Sequence, residues 1–341
     1  RRVLFRSDHP EAKMYAYENG RRAVENHYKR LQIPATVELD THLGYYRTRY
    51  HWTGRPLLSI IIPNMNHVDD LRECIDSIVG HSDYNNLEFV IVENNSTDPS
   101  IREYYDCLSK RTDISVKVLD YTAAFPKTAG EFNFSGLINY GVAHASGDYL
   151  LLLNNDTRMI NSDAISEMMG FVRRDDVGAV GARLYYANNT VQHAGLILGL
   201  GGVANSQFLF SGREQVGYFY RSTCVQDLSA VTGACLLTKR KIFDSVGGFN
   251  ENLAVAFNDV DYCLKLREKG FLCVYTPFSE WYHLESVSRG VDAEDEEKSH
   301  RIARETDIFM ERWGELVKKG DPYYNKNLSL TKFDYSFRID E

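Results

Sequence analysis

Residues 148–160 read DYLLLLNNDTRMI. Four leucines in succession lack the alternation of a strand with one wet face. A short unbroken apolar run suits a strand covered on both sides, as in a parallel sheet clothed by helices. The run stops abruptly in two amides and a carboxylate, Asn154, Asn155 and Asp156. The same texture begins at Leu57 with LLSIIIP and recurs in LEFVIVENNS and SVKVLDY, then in VGAVGARL, GACLLTK and FLCVYTP. Between these runs, DLRECIDSIVG and DVDYCLKLREKG carry helical spacing. Strands alternating with helices predict βαβ units and an α/β fold with a mostly parallel central sheet flanked by helices.

Outside this core, residues 9–31 have helical spacing, and TVELD and YYRTRY read as short strands. They predict a small N-terminal α/β extension over residues 1–54, with WTGRP as the boundary. The main domain is expected over 55–290, and a helical C-terminal tail over 291–341. No internal repeat or low-complexity tract interrupts the chain.

The totals narrow the function. Hydrophobic residues make up 43% of 341, enough for a sizeable core. Lys and Arg number 39 against 47 Asp and Glu, a formal charge of -8, which argues against a nucleic-acid partner. The six cysteines form no C-x-x-C pair and mostly sit in apolar stretches, as reduced core residues of a cytoplasmic protein do. No apolar run approaches the ~20 residues that cross a bilayer. The chain opens on RRVLFRS without Met, as a fragment of a larger protein would.

In an open parallel α/β sheet, ligands bind beyond the carboxyl ends of the strands. Three strands here end in polar clusters: Pro63-Asn64-Met65-Asn66, Glu93-Asn94-Asn95-Ser96 and Asn154-Asn155-Asp156. Each alone reads as turn formers; three at one end of one sheet suggest a shared pocket. Asp156 suits a hard divalent ion, which takes one or two carboxylates plus substrate phosphates, though Asp-Thr also reads as a helix cap. Asp259 and Asp261 open a helical run, where acids stabilise the N-terminus or one of them serves as a general base. WYHLESVSRG, residues 281–290, packs His283, Glu285, Ser288 and Arg289 just past FLCVYTP. Imidazole suits a transition metal such as Mn2+, and guanidinium suits a phosphate.

Taken in order, LLSIIIPNMN, FVIVENNSTD, FNFSGLINYGVAHASGDYLLLLNNDT, VTGACLLTKRKIFDSVGGFNEN, FNDVDYCLKLREKGF and YHLESVSRG resemble a family 2 glycosyltransferase with the GT-A fold, a Rossmann-like architecture. The wording is similar to the bacterial branch that builds O-antigens, capsules and rhamnose-rich wall polysaccharides. The resemblance divides the main domain into a nucleotide-binding half, 55–157, and an acceptor and catalytic half, 158–290.

The resemblance also implies roles. NND at 154–156 stands where the family has D-x-D, so Asp156 is a metal ligand, as is His283. Asn154 replaces the usual first Asp. Asp259 matches the catalytic base, and Asn258 takes the place of the commoner acid before it. Pro63, Asn66, Glu93, Asn133, Asn139, Asn154, Asn155 and Arg289 are implied on the donor side. His193, Gly233 and Asp261 are implied on the acceptor side. The implied reaction is inverting transfer from a UDP- or dTDP-linked sugar, dTDP-rhamnose among them, with Mn2+ or Mg2+. The implied acceptor is a glycan hydroxyl on a lipid carrier, reached by peripheral contact with the inner face of the membrane. An ordinary aspartate pKa near 4 suffices to keep such a base ionised at neutral pH. The alternative is a catalytically inactive sugar-nucleotide-binding module of a larger multidomain protein. A sugar-nucleotide pyrophosphorylase would need a glycine-rich phosphate loop where PNMNHVDD stands.

Overall fold

A computed structural model describes residues 13–126, 132–284 and 296–339. The chain forms two compact units, Arg1–Gly54 and Arg55–Glu341. In the first, helix α1 (Met14–Arg30) accompanies an antiparallel hairpin of β1 (Ala35–Leu39) and β2 (Tyr46–Tyr50). Val37 is buried there, and Arg21 of α1 donates to its carbonyl.

The second unit begins with two parallel crossovers. Strand β3 (Leu58–Asn64) leads through α2 (Val68–His81) to β4 (Leu87–Glu93), then through α3 (Pro99–Ser109) to β5 (Ser115–Asp120). Helix α2 buries Leu71, Cys74, Ile75 and Ile78, one stripe at helical spacing. Helix α3 starts where Asp98 accepts the Ser100 amide and Pro99 fills the first turn. A short α4 (Tyr121–Ala124) and α5 (Phe134–His144) then return the chain to β6 (Tyr149–Leu153), parallel beside β3. All seven residues of β3 are buried, as a strand covered on both faces requires.

Beyond β6 come β7 (Thr157–Met159), α6 (Ala164–Val172), β8 (Val177–Tyr185), β9 (Val191–His193), β10 (Leu196–Leu198) and β11 (Ala204–Ser206). The chain closes with β12 (Gln226–Leu228), β13 (Cys235–Lys239), α7 (Arg240–Ser245), α8 (Asn258–Glu268), β14 (Leu272–His283) and α9 (Glu296–Lys319). The main sheet runs in the order β12-β14-β8-β13-β6-β3-β4-β5. Its β14–β8, β6–β3, β3–β4 and β4–β5 pairs are parallel. Strand β13 lies antiparallel to both β6 and β8, and β12 antiparallel to β14. Between β8 and β13 no helix crosses back over the sheet, so the chain re-enters from the end where it left, and the pair is antiparallel.

The run expected to end at FLCVYTP continues through Tyr282 and His283. Its register with β8 shifts between Thr276 and Glu280, and Trp281–His283 then pair with β7. Pro277 lacks an amide hydrogen and so reads as a strand end, but it falls within this irregularity, where no ladder bond is needed. His283 is therefore held inside a strand, not on a loop past it.

One apolar core spans the unit and takes in Phe309 and Trp313 of α9. All six cysteines are free, four of them buried. No described helix is long and apolar enough to cross a membrane.

Candidate active site

The three strand-tip clusters lie on β6, β3 and β4, which are neighbours in that order. Hydrogen bonds knit them together. Asn155 donates to Asn64 Oδ1 at 2.7 Å, Asn64 donates to the Tyr105 hydroxyl at 2.9 Å, and Tyr105 donates to Glu93 Oε2 at 2.5 Å. Glu93 also accepts the amide and hydroxyl of Ser96. Burial, then the Glu93 carboxylate, pushes the Tyr105 phenol well above its usual range, so it stays a donor. Asn66 accepts the amides of Thr97 and Asp98, and Pro63 is buried within β3. Glu93 and Asn66 thus hold the shape of the β3 and β4 tips. Tyr105, a link in the chain, carried no signal in the sequence because it lies on α3, far from any strand end.

Asp156 is buried at the tip of β6, with Oδ1 3.2 Å from His283 Nε2. The pairing of β7 with β14, and a bond from the Leu284 amide to the Asp156 carbonyl, bring the two side chains together. His283 Nδ1 lies 2.7 Å from the Gln192 side-chain oxygen. An amide oxygen only accepts, so Nδ1 carries the proton. With the proton there, Nε2 is the ring nitrogen left to accept, and the Asn154 side-chain amide lies 3.0 Å from it as donor. Two donors at adjacent corners of an octahedral ion with bonds of about 2.1 Å stand about 3 Å apart. The Asp156–His283 spacing fits a shared Mg2+ or Mn2+. No group of three or more His, Cys, Asp or Glu side chains suited to a metal converges among the described residues. The remaining positions on an ion would fall to substrate phosphate and water.

A cavity of about 370 Å³ opens beside this pair. Asn154 and His283 line it, and so do Thr232, Gly233 and Asp259. Asp259 lies in the first turn of α8. Its Oδ2 accepts the Gly233 amide and its Oδ1 the Val260 amide, both at 2.8 Å. Burial raises its carboxyl above the ordinary aspartate value, and these hydrogen bonds only partly offset the rise. Next to it, Asn258 is buried and lines the same cavity, and its Nδ2 has no hydrogen-bond partner in the described protein. A buried amide left so is poised for a ligand. His193 also lines the cavity, with Nδ1 donating to the Ala182 carbonyl and Nε2 accepting the Thr232 amide. Its burial pushes its pKa down to about 4, so the ring is neutral.

Three implied residues stand elsewhere. Asn133 caps α5, accepting the Gly136 amide and donating to the Glu251 carbonyl. Asn139 exchanges two bonds with the backbone of Phe249. Both amides therefore pin the 248–254 loop that leads to Asp259. Asp261 is buried against Lys265 and Trp313 Nε1. None of the three lines the cavity. Arg289, Glu285 and Ser288 fall outside the described residues.

A mixed, mostly parallel sheet clothed by helices, with an acid–imidazole pair at a strand tip beside a half-buried carboxylate, is the build of a GT-A glycosyltransferase. Solved structures agree on the fold. A mannosyltransferase from Pyrobaculum calidifontis, in complex with GDP-Man and Mn2+, matches 90% of this chain and 78% of its own, with a TM-score of 0.55 at 16% identity. GalNAc-T7 with UDP, GalNAc and Mn2+ matches 83% of this chain and 53% of its own, with a TM-score of 0.56 at 13% identity. The chain belongs to glycosyl transferase family 2, whose model matches residues 59–247.

Among curated relatives, an uncharacterized protein, y4gI, of Sinorhizobium fredii is 43% identical over 95% of this chain and 35% of its own length. The O-antigen biosynthesis protein RfbC of Myxococcus xanthus is 34% identical over 95% of this chain and 24% of its own. A Mycobacterium tuberculosis N-acetylglucosaminyl-diphospho-decaprenol L-rhamnosyltransferase is 36% identical over 24% of this chain and 25% of its own. The chain thus spans about a third of the length of the first of these relatives and about a quarter of the second.

Proposed function

We propose that the chain transfers a sugar from a nucleoside diphosphate to a hydroxyl of a growing cell-surface polysaccharide, inverting the anomeric carbon. The observation that carries this reading is one cavity lined both by His283, partner of Asp156, and by Asp259. Asp259 accepts the proton of the attacking hydroxyl as the new C–O bond forms and the bond to the diphosphate breaks. Its hydrogen bonds to Gly233 and Val260 fix the carboxylate, so orientation is set before the substrate arrives. Asp156 and His283 would hold a divalent ion, and Gln192 fixes the tautomer that would let His283 do so. That ion, when bound, neutralises charge on the departing diphosphate. Asn258 donates its unused amide hydrogen to a substrate oxygen, and Arg289 supports the phosphates.

The relatives named for O-antigen synthesis and for decaprenol-linked rhamnosyl transfer support a rhamnosyl donor and a lipid-carrier-linked acceptor; among UDP- and dTDP-linked sugars our reading puts dTDP-rhamnose foremost. Such an acceptor would be met at the cytoplasmic face of the membrane by peripheral contact. Asp259→Asn should retain nucleotide binding and lose at least about 10²-fold in transfer; near-normal turnover would remove Asp259 as the base. Thermal shift with UDP and dTDP should rise on adding Mn2+ in the wild type and not in His283→Ala. Equal shifts in chelator would remove the metal from the reaction.

A further inference from the structure

A second concavity, of about 500 Å³, lies between the 208–217 segment and the C-terminal residues 331–334. Phe208, Phe210 and Phe333 supply its aromatic walls. The walls are braced. Phe208 stacks on Tyr335 with ring centroids 5.1 Å apart, Tyr335 stacks on Tyr218 at 5.3 Å, and the Phe208 amide bonds the Phe333 carbonyl at 2.6 Å. Phe208, Phe210, Phe219, Tyr220 and Tyr335 all hold positive φ. Such backbone is unfavourable for a residue with a side chain, and here it gathers on aromatic residues, with Gly217 beside them.

Two links join this cleft to the catalytic cavity. Leu209 lines both. Tyr186, which lines the cavity, stacks on Phe210 at 5.6 Å and an interplanar angle of 15°. The two concavities therefore adjoin at Leu209 and at the stacked Tyr186–Phe210 pair. Phe210, in that pair, is 60% exposed.

The chemistry of the lining selects the occupant. Leu209 is the sole aliphatic side chain in the cleft, which a polyprenyl chain would not favour. Lys332 and Asp334 place one charge of each sign at the rim, so a polyanion gains little. Ser211 and Gln215 add a hydroxyl and an amide. Flat apolar faces edged by neutral and balanced polar groups match a pyranose ring, whose C–H face stacks on an aromatic while its hydroxyls take hydrogen bonds. The volume lies within the range of small-ligand sites, roughly 300–1,000 Å³. We propose that this aromatic cleft is a saccharide subsite that holds a sugar unit of the acceptor glycan one or more residues away from the attacking hydroxyl. The inference rests on the glycosyl-transfer reading of the adjoining cavity.

The test is saturation-transfer NMR on the whole chain with the methyl pyranosides of rhamnose, mannose, galactose and N-acetylglucosamine. Phe210→Ala and Gln215→Ala, both at exposed positions, should unfold at the wild-type temperature and shift with UDP or dTDP plus Mn2+ as the wild type does. At least one glycoside should give signal at its ring C–H protons and bind about two- to tenfold more weakly to Phe210→Ala. Silence from all four glycosides, or equal binding by wild type and both variants, overturns the proposal. So does loss, in the variants alone, of binding to phosphatidylcholine vesicles carrying a polyprenyl phosphate, which would make the cleft a lipid site. The two readings fail separately. Glycoside binding that depends on Phe210, in a protein that never turns over a donor, sinks the transferase and leaves the subsite. Transfer with an unchanged acceptor KM in Phe210→Ala sinks the subsite and leaves the transferase.

Discussion

Asp259 carries opposing influences on its proton. Burial favours the neutral acid, while the Gly233 and Val260 amides favour the carboxylate, and burial prevails in part. A base is useful only while ionised, so a raised pKa moves its loss of function upward in pH. The acid limb of kcat/KM is expected above the ordinary aspartate value of about 4, measured over pH 4–8; a limb at or below that value would contradict the burial argument. His193 shows the same force acting on a base. Its pKa falls from the ordinary 6.5 to about 4 in the folded chain. The unfolded chain therefore binds this proton first, and the folded state loses stability as pH falls from about 6.5 toward 4. The unfolding temperature should decline through that window, and His193→Gln should flatten the decline. An unchanged slope would mean that His193 takes up its proton without cost.

At the scale of elements, the runs without alternation were legible because coverage on both faces leaves the same mark on each inner strand, whereas the edge strand β5 has no buried residue. LLSIIIP, LEFVIVE, YLLLL and VGAVGARLY all form β-structure. The direction of β13 was not legible, since it is fully buried as β8 beside it is, and direction depends on the connection. The extension of β14 to His283 was hidden behind Pro277. Helix α5 was hidden for a different reason. It buries Phe134, Ser135, Gly136, Leu137, Ile138, Gly141 and Val142, so no polar stripe marks its period. Its glycine at 141 answers to packing. A Cβ there would stand 2.5 Å from Ile61 Cγ2 and 2.8 Å from Val92 Cγ2. Alanine gains about 1 kcal/mol of helix propensity, whereas overpacking costs about 1–3 kcal/mol. Gly141→Ala should therefore lower stability in urea unfolding; a gain would show that β3 and β4 yield at no cost.

At the scale of the whole unit, the site depends on residues that sequence distance conceals. The acids at strand tips were legible because a carboxylate after an apolar run is out of character with the run. Their supports were not, because a supporting residue is defined by what it reaches. Asn133 and Asn139 fasten the 248–254 loop from one side. Helix α9 fastens the next residues from the other. Glu305, fully buried, accepts the amides of Val255 at 3.1 Å and Ala256 at 2.5 Å, and Trp313 bonds Asp261 at 2.9 Å. The C-terminal helix thus sets where α8 begins, and with it the position of Asp259. Glu305→Ala leaves two amides without their acceptor, at about 1–3 kcal/mol each where water cannot reach them. The variant should lose about 2 kcal/mol or more in urea unfolding and, at temperatures where it stays folded, lose kcat with nucleotide affinity unchanged. Glu305→Gln, which keeps an accepting oxygen, should recover much of both. Stability lost with kcat intact would make α9 a brace for the fold that leaves the base where it was.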